Sequence, residues 1–440
     1  MSTYLFASQP ARGHINPMLA IGRQMQSRGH HVVFAGFAPG PMQQYVETAG
    51  FQFINIRSLP IALVSMKLVL VPLLSGFRET WFAAHAFYSG LTLYGRAFQG
   101  IIERVKPDAV VCDFAYVGAG LAAETRRLPY ALVYHAGLSF RGPGIPPFAS
   151  GLPIGEPLGE EGERYSRALD SLEQWVDRTI HRARQRLGLP PSDSQFLTRP
   201  QSPWLTLVLS AEASEAPRDP LPPTSYYVGP CFTGRGAEAG PPFDTGKLRA
   251  DSMRVYVSMG TVFNRKPHIF QKIISAFSDG SCQLVVSAGC AYSRLRRRRP
   301  PSHVLLYRSV PQIDVLKHVD AVISHGGNNT VNETLAAGRP LLVLPVGGEQ
   351  GDNASRVVAL GVGLRAHLTR STSEEIAAKV SRLLSEADFK MRAQEVAAAL
   401  ARMDGPSTAA RFLERLVETR QPLIRPAGYP QTVTRDTPLP

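Results

Sequence analysis

Short apolar runs rich in β-branched residues alternate along the chain with longer stretches of helical periodicity. The pattern predicts buried parallel strands joined by helices, because both faces of a parallel sheet are covered. The runs lie at residues 4–8, 30–35, 108–112, 130–135 and 204–210, and then at 254–259, 283–288, 303–307, 320–324 and 340–345. This double series predicts an α/β fold with two doubly wound, Rossmann-like domains.

A segment rich in proline and glycine separates the two series. We therefore expect an N-terminal domain over 1–215, a linker over 216–252 and a C-terminal domain over 253–405. A helix over 406–420 is expected to pack back on the first domain. Residues 421–440 hold five prolines and little apolar periodicity. Such a segment buries too little surface to offset its ordering entropy, so we expect a mobile tail.

The charge balance raises the question of anionic partners. Lysine and arginine exceed aspartate and glutamate by 13, and an arginine run precedes Pro300. The run comprises Arg294, Arg296, Arg297, Arg298 and Arg299. The prolines that follow it predict a loop, which is either simply solvated or in weak contact with an anionic membrane surface. No nucleic-acid partner is expected, because no known binding motif accompanies the charge.

The N-terminal residues lack a basic start followed by an apolar run, so we expect a cytoplasmic protein rather than a secreted one. The stretch from Leu59 to Phe77 is nearly all apolar, but Lys67 and Pro72 interrupt it. It is short for a membrane span and is expected to be a packed segment or the wall of a hydrophobic pocket. The four cysteines lack the spacing of a zinc or redox motif and are interpreted as structural thiols.

Ligands of an open parallel sheet collect at the carboxyl ends of its strands. His14 follows the first strand, where a histidine could remove a proton from a bound hydroxyl, and Asn16 and Pro17 suggest that a helix begins just after it. Asp113 ends another strand of the same half. This carboxylate could orient His14 as a dyad, or it could simply cap the next helix.

A third turn joins a strand of the second half to a helix. It contains His325, two glycines and the polar residues Asn328, Asn329 and Thr330. Paired glycines allow a ligand to approach the backbone, and the N–H groups at a helix start favour a phosphate. No cluster of metal ligands is visible in the sequence, so no metal and no cofactor are expected.

Together these residues resemble the UDP-glycosyltransferase superfamily, the family 1 glycosyltransferases of GT-B fold, and within it the bacterial macrolide and natural-product branch. The N-terminal motif is the segment 13–17, and the C-terminal motif extends from Val310 to Asn353. The resemblance covers nearly the whole chain. It implies a GT-B fold with a cleft between the domains, and an inverting, metal-independent transfer of a hexose from a nucleotide diphosphate sugar to a small lipophilic acceptor.

The resemblance also implies roles for individual residues. His14 corresponds to the general base and Asp113 to the carboxylate that orients it. The residues expected to bind the donor are Ser258, Gly260, Thr261, Val310, Gln312, His325, Gly327, Asn329, Thr330, Glu333, Glu349 and Gln350. Among these, Glu333 is expected to accept from the ribose hydroxyls, and Glu349 and Gln350 to bind the sugar hydroxyls.

Two departures from the family pattern bear on the donor. Ser309 stands where many members have a tryptophan that stacks on the base, and Glu349 stands where aspartate is commoner. UDP and dTDP sugars both stay open, with UDP-glucose favoured. Aromatic residues between 81 and 94 belong either to the core or to a pocket for a polyketide, terpenoid, sterol-like or phenolic acceptor. Alternative functions are a nucleotide-sugar epimerase of the same fold and a basic protein that binds membranes or nucleic acid.

Overall fold

The structure is a computed structural model, and most of the chain can be described from it. The described residues are 1–38, 41–66, 74, 76–192, 195–218, 220–232, 243–260, 264 and 266–440. Thr261, one of the expected donor residues, lies outside them, as do Lys67, Pro72 and the middle of the expected linker.

Thirteen strands and fifteen α-helices are formed by the described residues. The strands are β1 (Thr3–Ala7), β2 (His31–Gly36), β3 (Gln52–Asn55), β4 (Ala109–Asp113), β5 (Tyr130–Tyr134), β6 (Leu205–Val208), β7 (Ser225–Tyr227), β8 (Met253–Ser258), β9 (Cys282–Ser287), β10 (Val304–Tyr307), β11 (Ala321–Ser324), β12 (Leu341–Val343) and β13 (Gly363–Arg365). The helices are α1 (Arg12–Ser27), α2 (Met42–Thr48), α3 (Leu59–Met66), α4 (Phe77–Tyr88), α5 (Leu91–Val105), α6 (Val117–Thr125), α7 (Gly159–Arg186), α8 (Pro267–Ser275), α9 (Tyr292–Arg297), α10 (Gln312–Leu316), α11 (Asn328–Ala336), α12 (Gln350–Ala359), α13 (Ser373–Ser385), α14 (Ala387–Ala401) and α15 (Gly405–Thr419).

The strands form two parallel sheets, one in each half of the chain. The first has the order β3-β2-β1-β4-β5-β6-β7, and the second has the order β10-β9-β8-β11-β12-β13. The predicted α/β class with two doubly wound domains is confirmed. In each sheet the chain first builds outward on one side and then returns to the centre. The strand order therefore reverses between β1 and β4 and between β8 and β11, and these switch points are where ligands bind in such folds.

Strand alternation explains how the first sheet is covered on both faces. Tyr4 and Phe6 are fully buried in one apolar cluster, together with residues of α1 and α15. Leu5 and Ala7 are fully buried in the other, together with residues of α5 and α6. Successive side chains of a strand point to opposite faces, so β1 contributes to both layers. The C-terminal helix α15 thus packs against the N-terminal sheet.

The chain after α15 differs from the expected mobile tail over 421–440. Val433 is fully buried, Thr432 forms a parallel bridge with Tyr227, and the Arg425 guanidinium donates to Ser225 O and Leu221 O at 2.8 Å each. The expectation was wrong because it considered only apolar periodicity. This segment is held by backbone hydrogen bonds and a few single apolar anchors, which leave no periodic pattern in a sequence.

Removing the anchor of this segment is expected to destabilise the first domain. We expect Val433→Ala to lower the melting temperature by about 2 to 5 °C, because a fully buried apolar side chain is truncated. The exposed neighbour Arg435 offers a matched control, since Arg435→Ala removes no buried contact. Thermal unfolding of both variants tests the result. Equal melting temperatures for Val433→Ala and the wild type would show that the segment does not contribute to stability.

Three further details correct the sequence analysis. Strand β7 lies inside the expected linker and belongs to the first sheet, so the boundary at residue 215 was too early; prolines around a three-residue strand had concealed it. Helix α1 begins at Arg12, with Pro17 inside it. The arginine run is partly helical, because α9 ends only at Arg297.

Within the described residues no helix is both long enough and apolar enough to cross a membrane.

Candidate functional site

His14 and Asp113 meet at the switch point of the first sheet. Asp113 is the last residue of β4 and is fully buried, and its Oδ2 lies 2.7 Å from His14 Nδ1 in the first turn of α1. Its Oδ1 accepts a hydrogen bond from Ala115 N at 2.9 Å. One oxygen therefore holds the turn after β4, and the other contacts the histidine. Asp113 does not cap α6, because the N-cap of this helix is Tyr116 and no side chain caps it.

The electrostatics of this pair favour uptake of a proton by the histidine. Burial alone would raise the pKa of Asp113, but His14 and His135 hold it well below its usual range. Burial alone would lower the pKa of His14, but the negative charge of Asp113 raises it above its ordinary value. With Nδ1–H donating to the carboxylate, Nε2 of His14 is the nitrogen available as a base. The side chain is 23% exposed, which leaves it accessible.

His135 is a member of this group that the sequence analysis did not single out. It directly follows β5, and its Nε2 lies 3.4 Å from Asp113 Oδ2. Its ring meets the ring of His14 edge to face, with 4.7 Å between the centroids. In the part of the chain that the structure describes, His14, Asp113 and His135 also form a group that could hold a metal ion. The sequence showed no such cluster because the three residues belong to three separate βα turns.

The second switch point holds His325 between two glycines. Gly260 has a φ of +68°, and a Cβ there would lie 2.5 Å from the imidazole; a Cβ on Gly327 would lie 2.6 Å from His325 Nε2. Glycine is therefore required at both positions for the ring to fit. Burial lowers the pKa of His325 to about 4, although a hydrogen bond to the Ser258 backbone opposes the shift. His325 is consequently a neutral hydrogen-bonding group near pH 7.

Helix α11 begins directly after this turn, and its first two side chains form hydrogen bonds with the N-terminal domain. Its first residue, Asn328, donates from Nδ2 to His135 O at 2.8 Å, and Asn329 Nδ2 donates to Gly13 O at 3.0 Å. Its N-terminus carries the partial positive charge that favours a phosphate. The predicted phosphate-binding turn and the His14 loop thus lie within hydrogen-bond distance of each other.

Gln312 and Glu333 form a polar pair beside the same helix. Gln312 Nε2 donates to Glu333 Oε2 at 2.6 Å, and Gln312 Oε1 accepts from the Tyr256 hydroxyl at 3.0 Å. Thr330 lies within 3.5 Å of Gln312 Nε2, and Val310, just before α10, is largely buried. Three expected donor residues, Gln312, Thr330 and Glu333, are therefore brought together, with the Glu333 carboxylate oriented by an amide.

The loop before α12 carries Glu349 and Gln350. Gln350 Oε1 accepts from Val346 N at 2.9 Å, so this side chain folds over its own loop and only its NH₂ can donate to a ligand. Glu349 lies across the cleft from the His14 region: its charge contributes to the raised pKa of His14, and a Cβ on Gly137 would lie 3.3 Å from its Cγ. In the expected sugar-binding pair, Glu349 thus faces the His14 region with its carboxylate, whereas Gln350 offers only its NH₂ group to a ligand.

Two polar contacts that the sequence analysis missed, one buried and one partly buried, connect the domains. Arg356, 2% exposed, forms an ion pair with Glu215 and donates to Asn328 Oδ1 at 3.0 Å. Asp352 accepts from Gly151 N at 2.8 Å and also from Ala149 N. Both bonds join α12 to the first half of the chain. They could not be predicted because each partner is more than 140 residues away in sequence.

Glu79 of α4 reaches the loop that precedes Glu349. It is 5% exposed, and a Cβ on Gly347 would lie 2.5 Å from its Oε2. Burial raises the pKa of Glu79 to about 7; the negative charge of Glu349 adds to the shift and a hydrogen bond from the Gly348 backbone opposes it. A carboxylate of the first domain thus lies against the expected sugar-binding loop of the second.

Glu79 is expected to make stability depend on pH. Its folded pKa is above the unfolded value, so its ionisation costs free energy that is absent below about pH 4.5 and complete above about pH 7. Glu79→Gln removes this cost and keeps an acceptor for Gly348 N–H. We expect the variant to melt about 2 to 4 °C higher than the wild type at pH 8, with the difference vanishing near pH 5. A constant difference across this range, measured by thermal unfolding, would contradict the assignment.

The comparisons with known proteins agree with this geometry. Residues 251–402 match the family model described as UDP-glucoronosyl and UDP-glucosyl transferase. The chain is 27% identical to 4'-demethylrebeccamycin synthase from Lentzea aerocolonigenes, over 94% of this chain and 99% of that one, and 26% identical to zeaxanthin glucosyltransferase from Pantoea ananas, over 98% and 99%. The crystal structure of CalG4, the calicheamicin glycosyltransferase, superposes with a TM-score of 0.71 at 22% identity, covering 96% of this chain and 99% of that chain.

The protein is therefore an enzyme of the glycosyltransferase class with the GT-B fold. Residues 251–402 form a UDP-glucoronosyl and UDP-glucosyl transferase domain, so the resemblance to the UDP-glycosyltransferase superfamily that the sequence motifs predicted is confirmed.

Proposed function

We propose that the protein transfers a hexose from a nucleotide diphosphate sugar to one hydroxyl of a small lipophilic acceptor, with inversion at the anomeric carbon. The observation that carries this proposal is the position of the His14–Asp113 pair across the cleft from the His325 turn, with Asn329 bonded to Gly13 O between them. A base on one side and a diphosphate site on the other are what a single direct displacement requires.

On the acceptor side, His14 Nε2 takes the proton of the attacking hydroxyl while Nδ1–H stays bonded to Asp113. Asp113 fixes the tautomer and stabilises the imidazolium that forms, and its low pKa keeps it ionised. The acceptor oxygen then attacks the anomeric carbon from the face opposite the leaving group. The proton ends on His14 and is later released to solvent.

On the donor side, negative charge develops on the diphosphate as the bond to the sugar breaks. The neutral imidazole of His325 and the N-terminus of α11 are fixed dipoles beside this position. They stabilise the departing diphosphate without a resident metal ion. Glu333, held by Gln312, accepts from the ribose, and Glu349 with the NH₂ of Gln350 binds the sugar hydroxyls.

The acceptor is proposed to be apolar because exposed hydrophobic side chains lie on α3 and on α4, the helix that carries Glu79. Leu59 and Leu63 of α3 are 73% and 58% exposed, and Trp81 of α4 is 45% exposed. Tyr88 and Tyr94 are by contrast buried in the core. The first group leaves apolar surface for a ligand such as a polyketide, terpenoid, sterol-like or phenolic compound. The names of the rebeccamycin and zeaxanthin relatives agree with such acceptors.

The nucleotide is tested by calorimetric titration with UDP and with dTDP. UDP is favoured as the family's usual nucleotide, but with Ser309 in place of a stacking tryptophan the preference over dTDP is expected to be small. Incubation of the donor alone separates transfer from epimerisation. An isomerised sugar in that sample would replace the proposal with the epimerase function.

Loss of the ribose contact is expected to weaken the donor. Glu333→Ala should reduce nucleotide affinity by about 1 to 3 kcal/mol, because a charge-assisted hydrogen bond is removed. Calorimetric titration of the nucleotide measures it. Glu386→Ala is a suitable control, since Glu386 pairs with Arg382 away from the site. Unchanged nucleotide affinity in Glu333→Ala would exclude the ribose contact.

A further inference from the structure

Three side chains of the types that bind transition metals converge at the carboxyl ends of β1, β4 and β5. The ligand atoms of His14, Asp113 and His135 all lie within 4.8 Å of one another. Asp113 Oδ2 is at the centre, 2.7 Å from His14 Nδ1 and 3.4 Å from His135 Nε2. We propose that this group is an inhibitory binding site for a divalent transition-metal ion such as Zn²⁺.

The donor set matches the ion. Two imidazole nitrogens and one carboxylate oxygen are ligands that Zn²⁺ accepts at about 2.0 to 2.2 Å, in a tetrahedral site with one position open. Such bond lengths place the ligand atoms of a tetrahedron ~3.3 Å apart. The Asp113–His135 separation of 3.4 Å agrees with this value, whereas the 2.7 Å between His14 and Asp113 is a hydrogen bond that must lengthen when an ion enters. His14 is 23% exposed and gives access from the cleft, while Asp113 is fully buried.

His135 supplies the independent observation. The side chain is 5% exposed, and among the described residues its Nε2 makes no hydrogen bond, although it lies near Asp113 Oδ2. A buried polar atom that makes no hydrogen bond costs free energy. A metal ion held between this nitrogen, Asp113 and His14 provides a direct ligand bond in place of the 3.4 Å contact. The second carboxylate oxygen is already fixed by Ala115 N, which orients the ligand as metal sites require.

Binding at this site would inhibit by changing the tautomer of His14. The metal takes Nδ1, so the single proton of the neutral ring moves to Nε2. That nitrogen then cannot accept the proton of an acceptor hydroxyl. The donor contacts lie on the other domain, so the ion should lower kcat and leave nucleotide affinity unchanged. This consequence rests on the proposed role of His14, whereas metal binding itself does not.

The test therefore measures metal binding separately from activity. Co²⁺ is titrated into the tag-free protein without nucleotide, and the visible absorption of the bound Co²⁺ is measured. Zn²⁺ is then added to displace the Co²⁺. Every variant carries Cys290→Ser, because this thiol is exposed and could bind the ion. His135→Gln and His14→Gln are compared with the control His268→Gln, which alters an exposed histidine of α8.

We expect one bound Co²⁺ and an affinity that falls at least about tenfold in both site variants but not in the control. Zn²⁺ should inhibit transfer, a chelator should restore it, and Mg²⁺ should not inhibit, since it prefers oxygen ligands. Wild-type Co²⁺ affinity in His14→Gln, whose residue is partly exposed and easily replaced, would overturn the site. If the protein binds the metal as expected but transfers no sugar, the metal site is supported and the proposed transfer function is rejected.

Discussion

Replacing His14 with alanine lowers kcat by about 10² to 10⁴-fold and leaves the affinity for the nucleotide unchanged. The reason is that His14 supplies proton removal, for which general bases contribute rate enhancements of this size. Its ring lies on the acceptor side with Nδ1 bonded to Asp113. The donor contacts proposed above belong to the other domain. Initial rates with saturating donor, together with nucleotide titration, measure the two quantities.

The control for this variant is His268→Ala, which removes an exposed histidine of α8 and should leave kcat intact. Asp113→Asn should give a similar loss of kcat, and the double variant should lose little more than either single one, because the two residues act as a unit. A parallel loss of nucleotide affinity in His14→Ala would mean that the residue binds the donor. A kcat within about threefold of the wild type would remove it from proton transfer.

His325→Ala is expected to lower kcat by about 10² to 10³-fold, as found when one preorganised donor to a developing negative charge is removed. The imidazole is held between Gly260 and Gly327, and its pKa of about 4 keeps it neutral, so its contribution is a fixed hydrogen bond rather than a full charge. Affinity for the nucleoside diphosphate should fall, while affinity for the nucleoside alone should not. Steady-state kinetics and titration with both ligands separate these effects.

A cavity between two glycines could also disturb the turn, so His325→Gln is the companion variant. Glutamine keeps a donor of similar length and should recover part of the lost rate, and thermal unfolding shows whether either variant is destabilised. Equal loss of affinity for nucleoside and diphosphate in a stable His325→Ala protein would contradict a role at the phosphates. Full activity of His325→Ala would exclude any contribution of His325 to the transfer.

The fold could be predicted from sequence because its signals are local. Each buried strand of a parallel sheet is a short apolar run, and the two series of runs were separated by prolines. The proximity of His14 and Asp113 could also be predicted, although they are 99 residues apart. The rule that residues after neighbouring strands share one edge is enough to bring them together. Their catalytic roles remain predictions.

What could not be predicted depends on how distant segments pack. His135 had a signal, since it follows β5 at the same edge, but it was counted as the end of the strand. Glu79 had no signal in the sequence. Its contact with the expected sugar-binding loop exists only because α4 packs against the loop before Glu349. Arg356 and Asp352 are likewise defined by partners on the other domain. Such contacts leave no periodic pattern.

The anomeric configuration of the product tests directly whether the sugar is transferred by a single displacement. UDP-glucose and a dTDP sugar, both with an α linkage to the diphosphate, are offered with pooled lipophilic alcohols and phenols, and the product's anomeric proton coupling is measured by NMR. We expect a β-linked glycoside, formed by the wild type and not by His14→Ala. An α-linked product, or a product formed equally by His14→Ala, would contradict a single displacement promoted by His14.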